Sequence, residues 1–291
     1  MSATLLEKAS AKINLTLRVI GRRADGYHDL ESLVVFADVA DELTLQSGAD
    51  DLLEVSGPFG GKSGAVADNL VLKALSAFRQ RAVGLKGGRF LLEKNVPVAA
   101  GLGGGSADAA AALRLIARAN AIALDDPRLL EAARTVGADV PVCVEPFPRI
   151  MCGVGEVLSP PLELPALPAV LVNPAVALST RDVFGKFTGG QGEGGLAEVP
   201  REFDALIEYL NHHGNDLTAA AMACAPVVAE VLAALKRLPG AKLVRMSGSG
   251  SSCFALFATQ REAAAAAQRL AAEQKGWWVQ ATSLGAAPGV P

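Results

Sequence analysis

Cysteine is scarce in this chain, with four among 291 residues. Cys143, Cys152, Cys224 and Cys253 show neither CxxC nor Cys/His metal spacing, and so few thiols in so long a chain exclude a disulfide scaffold or a zinc ribbon. Reduced, packed thiols are expected. Histidine (3), tryptophan (2) and tyrosine (2) are sparse as well, so recognition of a planar ligand has to come from very few positions. Neither sign of charge dominates: 27 Lys and Arg against 30 Asp and Glu give a formal net charge of -3. That balance provides no general attraction for nucleic acid or anionic lipid, so neither partner is expected and any phosphate chemistry must come from a local site. No apolar run is long enough to span a bilayer, and no basic and apolar leader with a cleavage site is found. Both absences point to a cytoplasmic protein. Internal repeats and long low-complexity tracts are lacking too.

What is present is a large apolar fraction, 51%, in a chain long enough for two domains. One stretch organises the rest: Pro97-Val98-Ala99-Ala100-Gly101-Leu102-Gly103-Gly104-Gly105-Ser106-Ala107-Asp108-Ala109-Ala110. Four glycines in five residues lead straight into an alanine-rich segment with helical apolar spacing. Such a loop lets backbone approach an anion, and the helix behind it presents unpaired N–H groups and the positive end of its dipole. Two competing motifs fail. Ser56 to Ser63 nearly spells a Walker A loop but has three residues between Gly57 and Gly61 where four are needed. A dinucleotide fingerprint would put glycine where Ser106 stands.

From Ala11 to Val19 polar and apolar residues alternate, predicting a half-buried strand with Lys12 and Asn14 on its polar face. The turn Gly21 to His28 ends in Tyr27-His28, a ring and a ring nitrogen suited to stacking and hydrogen bonding. Leu30 to Phe36 and Asp41 to Gln46 read as two further strands. A helix opens at Asp68-Asn69, with Asp68 as N-cap, and Arg89 to Lys94 reads as a strand. The glycine-loop helix runs from Ser106 to about Asn120, and another runs from Asp126-Pro127 to Gly137. Gly137-Ala138-Asp139-Val140-Pro141 follows, with an aspartate at an inward turn. A proline cluster from Pro160 to Pro168 suggests the exit of a first domain, 1–160, before a second, 161–291. In the second, helices are predicted over Arg201–His212, Asp216–Cys224, Pro226–Leu238 and Gln260–Gln274. Strands are predicted over Val170–Val172, Lys242–Ser247, Cys253–Phe257 and Trp277–Ala281. Gly189 to Gly195 reads as a mobile loop, and His212 and His213 are assigned no role.

The Lys12 and Asn14 strand, the Pro97 to Ala110 loop and helix, and the Met246 to Cys253 loop together resemble the GHMP kinases, a superfamily of small-molecule kinases. Further stretches are Ala11-Lys12-Ile13-Asn14-Leu15, Arg23-Ala24-Asp25-Gly26-Tyr27-His28, Gly137-Ala138-Asp139-Val140-Pro141 and Gly153-Val154-Gly155-Glu156. These are similar to the branch of that superfamily acting on 4-diphosphocytidyl-2-C-methyl-D-erythritol. The resemblance implies an α+β, two-domain GHMP kinase fold: an N-terminal β-rich α/β domain with the glycine-loop helix, a C-terminal α+β sandwich, and an active site in the cleft between them. It implies phosphoryl transfer from ATP to the 2-hydroxyl of that substrate by a monomer or weak homodimer. Asp139 would be the general base and Lys12 its charged neighbour. Asn69, Lys94, Pro97, Gly101, Leu102, Gly103, Gly104, Gly105, Ser106 and Asp108 would serve ATP. Mg²⁺ is expected with it, placed by Ser106 or Asp108, although Asp108 would equally complement the helix dipole. Asn14, Tyr27, His28, Thr180, Phe184 and Gly248 would hold the substrate, the cytosine lying between Tyr27-His28 and Phe184. Two rival readings are a kinase for another alcohol, against which the Tyr27-His28 pair argues, and a catalytically silent nucleotide- or metabolite-binding regulator on the same fold, against which the presence of both Lys12 and Asp139 argues. One departure is visible: Pro146-Phe147 stands where such kinases commonly carry Gly-Gly.

Overall fold

The structure, a computed structural model, describes residues 4–189, 195 and 198–287. Among these lie eleven strands and nine α-helices. The first part of the chain forms β1 (Thr4–Asn14), β2 (Arg18–Arg22), β3 (His28–Gly48), β4 (Leu52–Ser56), α1 (Leu70–Arg79), β5 (Gly87–Glu93), α2 (Gly104–Ala119), α3 (Pro127–Val136) and α4 (Val140–Val144). The rest forms β6 (Arg149–Gly153), β7 (Val157–Leu158), β8 (Leu167–Asn173), α5 (Thr180–Lys186), α6 (Phe203–His212), α7 (Thr218–Cys224), α8 (Val227–Lys236), β9 (Leu243–Met246), β10 (Cys253–Leu256), α9 (Gln260–Glu273) and β11 (Trp278–Gly285).

Three local expectations are corrected. The two strands read at 30–36 and 41–46 are one, β3, because nothing between Ala37 and Ala40 is a glycine or proline that would break it. The N-cap of α1 is Asn69 and not Asp68: the Asn69 Oδ1 accepts from the Val71 N–H at 3.0 Å, while Asp68 closes a short 3-10 turn. The alternation in β1 predicts one wet face, yet every residue from Ala9 to Asn14 is buried, Lys12 and Asn14 included. Elsewhere cap chemistry is a good guide. Asp126 accepts from the Arg128 N–H and Pro127 occupies the first turn of α3, where a missing N–H costs nothing. Of the loop Gly189 to Gly195, residues 190–194 lie outside the described residues.

By its internal contacts the chain forms two units, neither continuous in sequence. The first comprises Met1–Ala11, Val39–Val98 and Gly103–Pro146. In it the Glu42–Gly48 end of β3 pairs antiparallel with β5, and β4 adds to β5 in parallel. Leu43, Leu45, Phe90 and Leu92 turn one face of these strands inward, all fully buried. Helix α2 packs against α1, α3 and α4; its run Ala109-Ala110-Ala111-Ala112 is buried on every side, which only small side chains allow.

The second unit comprises Lys12–Asp38, Ala99–Leu102 and Phe147–Pro291. Here β11, β8, β10 and β9 lie side by side, antiparallel. The Phe36-Ala37 stretch of β3 pairs with the end of β11, and its Leu30–Val34 stretch pairs with β6. Helices α8 and α9 cover these strands, closing a core that includes Val170, Val172, Val231, Leu235, Met246, Phe257 and Leu270.

Candidate active site

The glycine loop delivers α2 with its first turn bare. Gly103, the N-cap, sits at φ 61, ψ 16 in the left-handed region and offers no side-chain acceptor, and no acidic residue stands in the first turn. The opening N–H groups and the helix dipole are therefore uncompensated by side chains there. Gly105 is exposed and Ser106 half-buried, so an anion can reach them. Pro97 and Leu102 are buried and anchor the loop from within.

Within the second unit the predicted residues Lys12, Asn14, Gly101, Leu102, Thr180 and Gly248 are drawn together. The Lys12 N–H donates to the Leu102 carbonyl at 2.9 Å. The Asn14 N–H donates to Ser247 Oγ at 3.1 Å, and that hydroxyl donates to the Gly101 carbonyl at 3.0 Å. Gly101 has φ +74, and a Cβ on it would lie 2.6 Å from the Ser247 carbonyl oxygen and 2.7 Å from that of Gly250, so only glycine fits. Thr180 shares a 2.9 Å hydrogen bond with Ser249. Asn14 Nδ2 donates to Ser32 Oγ at 2.7 Å, and Ser32 donates onward to the Thr16 carbonyl. That leaves Asn14 Oδ1 buried with no hydrogen-bond partner among the described residues. A Cβ on Gly248 would lie 3.3 Å from this oxygen. An orphaned buried acceptor, held in orientation from its other end, is suited to a ligand hydroxyl.

Ser32 and Asn215 were not singled out from sequence. Asn215 donates from Nδ2 to the carbonyls of Met246 and Gly248, both at 2.8 Å, and fixes the Ser247 to Gly250 loop. A lone Ser on a strand or Asn after a helix carries no pattern that reveals such a role.

In the first unit, Lys94 does not present its ammonium to solvent. It is 3% exposed, and Nζ donates to Asp41 Oδ2 and, at 2.7 Å, to Asp108 Oδ2. Asp41 Oδ1 accepts from the N–H groups of Asn95 and Val96, at 2.5 and 2.8 Å. Asp108 Oδ1 is buried without a hydrogen-bond partner among the described residues. Burial pushes the Asp108 carboxyl up to about 7, opposed by the Lys94 charge and reinforced by Asp41; the two carboxylates share one ammonium. The expectation that Asp108 places a metal is thereby corrected: its carboxylate is turned into the protein against Lys94. Among the described residues, no group of three or more His, Cys, Asp or Glu is placed to hold a metal.

Asn69 spends Oδ1 on the α1 cap, so its amide N–H₂ is the donor group of that side chain. Asp139 stands at the N-cap of the five-residue α4, half-buried, and makes no side-chain cap hydrogen bond. In the second unit, His28 and Phe184 stack with centroids 4.8 Å apart and planes at 22°, and Phe187 meets His28 edge-on at 6.4 Å. Phe187 was missed; it follows the end of α5. Tyr27 is 66% exposed. The His28 pKa is lowered by partial burial and by the Arg22 charge, which favours the neutral imidazole. His213, to which the sequence gives no role, stacks on Tyr209 at 4.2 Å.

The fold and these loops define a class, the GHMP kinases: the family model described as GHMP kinases N terminal domain matches residues 69–145, and that described as GHMP kinases C terminal matches residues 191–276. A homoserine kinase structure from Cytophaga hutchinsonii shares the fold at 18% identity, with a TM-score of 0.70 over 99% of this chain and 96% of that one. Within the class, the chain is 54% identical to a 4-diphosphocytidyl-2-C-methyl-D-erythritol kinase of Rhodopseudomonas palustris, over 96% of this chain and 99% of the relative. It is 52% identical to one of Nitrobacter hamburgensis, over 97% and 96%. A crystal structure of 4-(cytidine 5'-diphospho)-2C-methyl-D-erythritol kinase matches at 35% identity and TM-score 0.77, over 97% of this chain and 99% of that one. The chain belongs to the 4-diphosphocytidyl-2-C-methyl-D-erythritol kinase family. No helix among the described residues is long and apolar enough to cross a membrane.

Proposed function

We propose that this chain transfers the γ-phosphoryl group of ATP to the 2-hydroxyl of 4-diphosphocytidyl-2-C-methyl-D-erythritol, giving the 2-phosphate and ADP in the non-mevalonate isoprenoid route. The observation that carries the reading is similarity along the whole chain, 54% identity over 99% of a relative of that name.

In the proposed mechanism Asp139 accepts the proton of the 2-hydroxyl while its oxygen bonds to the γ-phosphorus. The bond from that phosphorus to the β–γ bridging oxygen breaks, ADP leaves, and the proton passes from Asp139 to solvent. Lys12 offsets negative charge on the reacting oxygen. The open N–H groups from Gly103 to Ser106 stabilise the phosphates, and the amide of Asn69 serves the nucleoside. Mg²⁺ would enter with ATP as part of the nucleotide substrate, where it would offset the charge developing on the phosphates, with Ser106 to help place it. Asn14 Oδ1 accepts from a substrate hydroxyl, and Tyr27, His28 and Phe184 hold the cytosine. We take the enzyme to be cytoplasmic and a monomer or weak homodimer.

The test is incubation of the purified protein with ATP, Mg²⁺ and the cytidine-linked alcohol, with mevalonate and homoserine in parallel, followed by phosphorus NMR. A new phosphomonoester only with the cytidine-linked alcohol is expected. Product from another alcohol, or none, overturns the assignment.

A further inference from the structure

The Asp41, Lys94 and Asp108 cluster joins four parts of the first unit that sequence keeps apart. Asp41 is 0% exposed on β3; Lys94 follows the last residue of β5; Asn95 and Val96 open the segment leading to the glycine loop; and Asp108 lies in the second turn of α2. The Asp41 carboxylate takes three donors, the N–H groups of Asn95 and Val96 and the Lys94 ammonium. Two consecutive backbone N–H groups on one carboxylate oxygen fix the direction in which the chain leaves β5, immediately before Pro97. Above the cluster stands the first residue of α2: a Cβ on Gly104 would lie 3.5 Å from Lys94 Nζ and 3.7 Å from Asp41 Oδ2.

A buried ion cluster adds little net stability over apolar packing, because desolvation offsets the attraction. What this one supplies is geometry and charge at a defined place. Lys94 cannot reach a nucleotide directly, being enclosed by two carboxylates, yet its ammonium lies under the turn whose N–H groups face outward. In a low-dielectric interior a fixed charge at that range contributes to the field at the helix terminus.

We propose that Asp41 is a positioning residue for nucleotide binding: it aims the Asn95–Val96 entry to the glycine loop and holds the Lys94 ammonium beneath the first turn of α2, where the triphosphate is bound. The role rests on the reading of the glycine loop as the ATP site. It assigns Lys94 an action through position and field, and no contact with the nucleoside through its side chain.

The experiment compares Asp41→Ala with Asp41→Asn. The second variant retains an oxygen that accepts from Asn95 and Val96 but removes the charge. Circular dichroism and melting select the folded variants, and initial rates are then measured against ATP and against the alcohol substrate. For Asp41→Ala the KM for ATP rises about tenfold or more, with the KM for the alcohol and kcat each within about threefold of the parent. Asp41→Asn recovers part of the loss. Binding of a fluorescent ATP analogue weakens in the same order. If Asp41→Ala does not fold, Asp41→Asn alone still has to raise the ATP KM. An unchanged ATP KM in a folded variant overturns the role, and so does an equal rise in both KM values with a lowered melting temperature, which marks a purely structural residue. A parent enzyme that forms no ATP-dependent product would instead overturn the functional reading itself.

Discussion

The imidazole of His28 lies flat against Phe184, centroids 4.8 Å apart. A base inserted between two rings needs about 7 Å between them, twice a carbon contact distance of about 3.5 Å. Phe184 and His28 must therefore part before both can face a cytosine. Phe184→Ala removes one face and is expected to raise the KM for the cytidine substrate about tenfold while leaving that for ATP within twofold. Steady-state kinetics with each substrate varied in turn would check this; an unchanged KM for the cytidine substrate argues against the base-holding role.

His28 also predicts a pH dependence. Partial burial and Arg22 lower its pKa from 6.5, so the fold favours the neutral ring. Its stability contribution is present above 6.5 and is lost as pH falls through the lower folded value. The KM for the cytidine substrate should stay flat from pH 8 to 6.5 and climb below that. His28→Ala should have a raised KM that lacks this climb, and the same climb in the variant would assign it to another group.

Asp139→Asn is expected to lower kcat by about 10² to 10⁴, the range of a lost general base. If Asp139 acts on the substrate hydroxyl alone, melting temperature and ATP affinity should hold in this variant. Calorimetric titration with ATP and a thermal melt would check both; loss of either would make Asp139 a structural residue.

Gly101→Ala places a methyl group 2.6 Å from the Ser247 carbonyl oxygen at φ +74. Strain of this kind costs about 1–3 kcal/mol, before any displacement of the Ser247 to Gly250 loop. A melting temperature lower by about 4 °C or more is expected in a thermal scan.

Asn69→Asp separates two functions of one side chain. It keeps the acceptor for the Val71 N–H and removes the amide donor. If the amide serves the nucleoside, the ATP KM rises with α1 and the melting temperature intact. Asn69→Ala should additionally cost about 1 kcal/mol through the lost cap.

The sequence was most legible where chemistry is local. Asp126-Pro127 and Gly137 bracket α3 because capping, fixed proline φ and glycine freedom act within a few residues. The glycine run at Gly101 to Gly105 announces its own backbone requirement. Lys94 was the harder case. Its partners stand 53 and 14 residues away, and Asp41 read as the start of a short strand when it is an interior residue of a long one. Asn14 shows the same limit: alternation put it on a polar face, but a strand enclosed on both sides buries that face too. Burial from elements distant in sequence leaves no periodicity to read.

The interleaving of the two units also sets an order of events during synthesis. All three segments of the first unit have been made once Pro146 has left the ribosome, whereas Lys12–Asp38 belongs with strands that come last. Ala37 waits for Leu284, about 250 residues later, which at 5–20 residues per second is roughly 10–50 s. Throughout that interval Phe36 and Ala37, both fully buried in the finished fold, lack the β11 side of their pairing. A strand edge left open for so long makes this stretch of β3 the place where the growing chain is most exposed to wrong strand pairing.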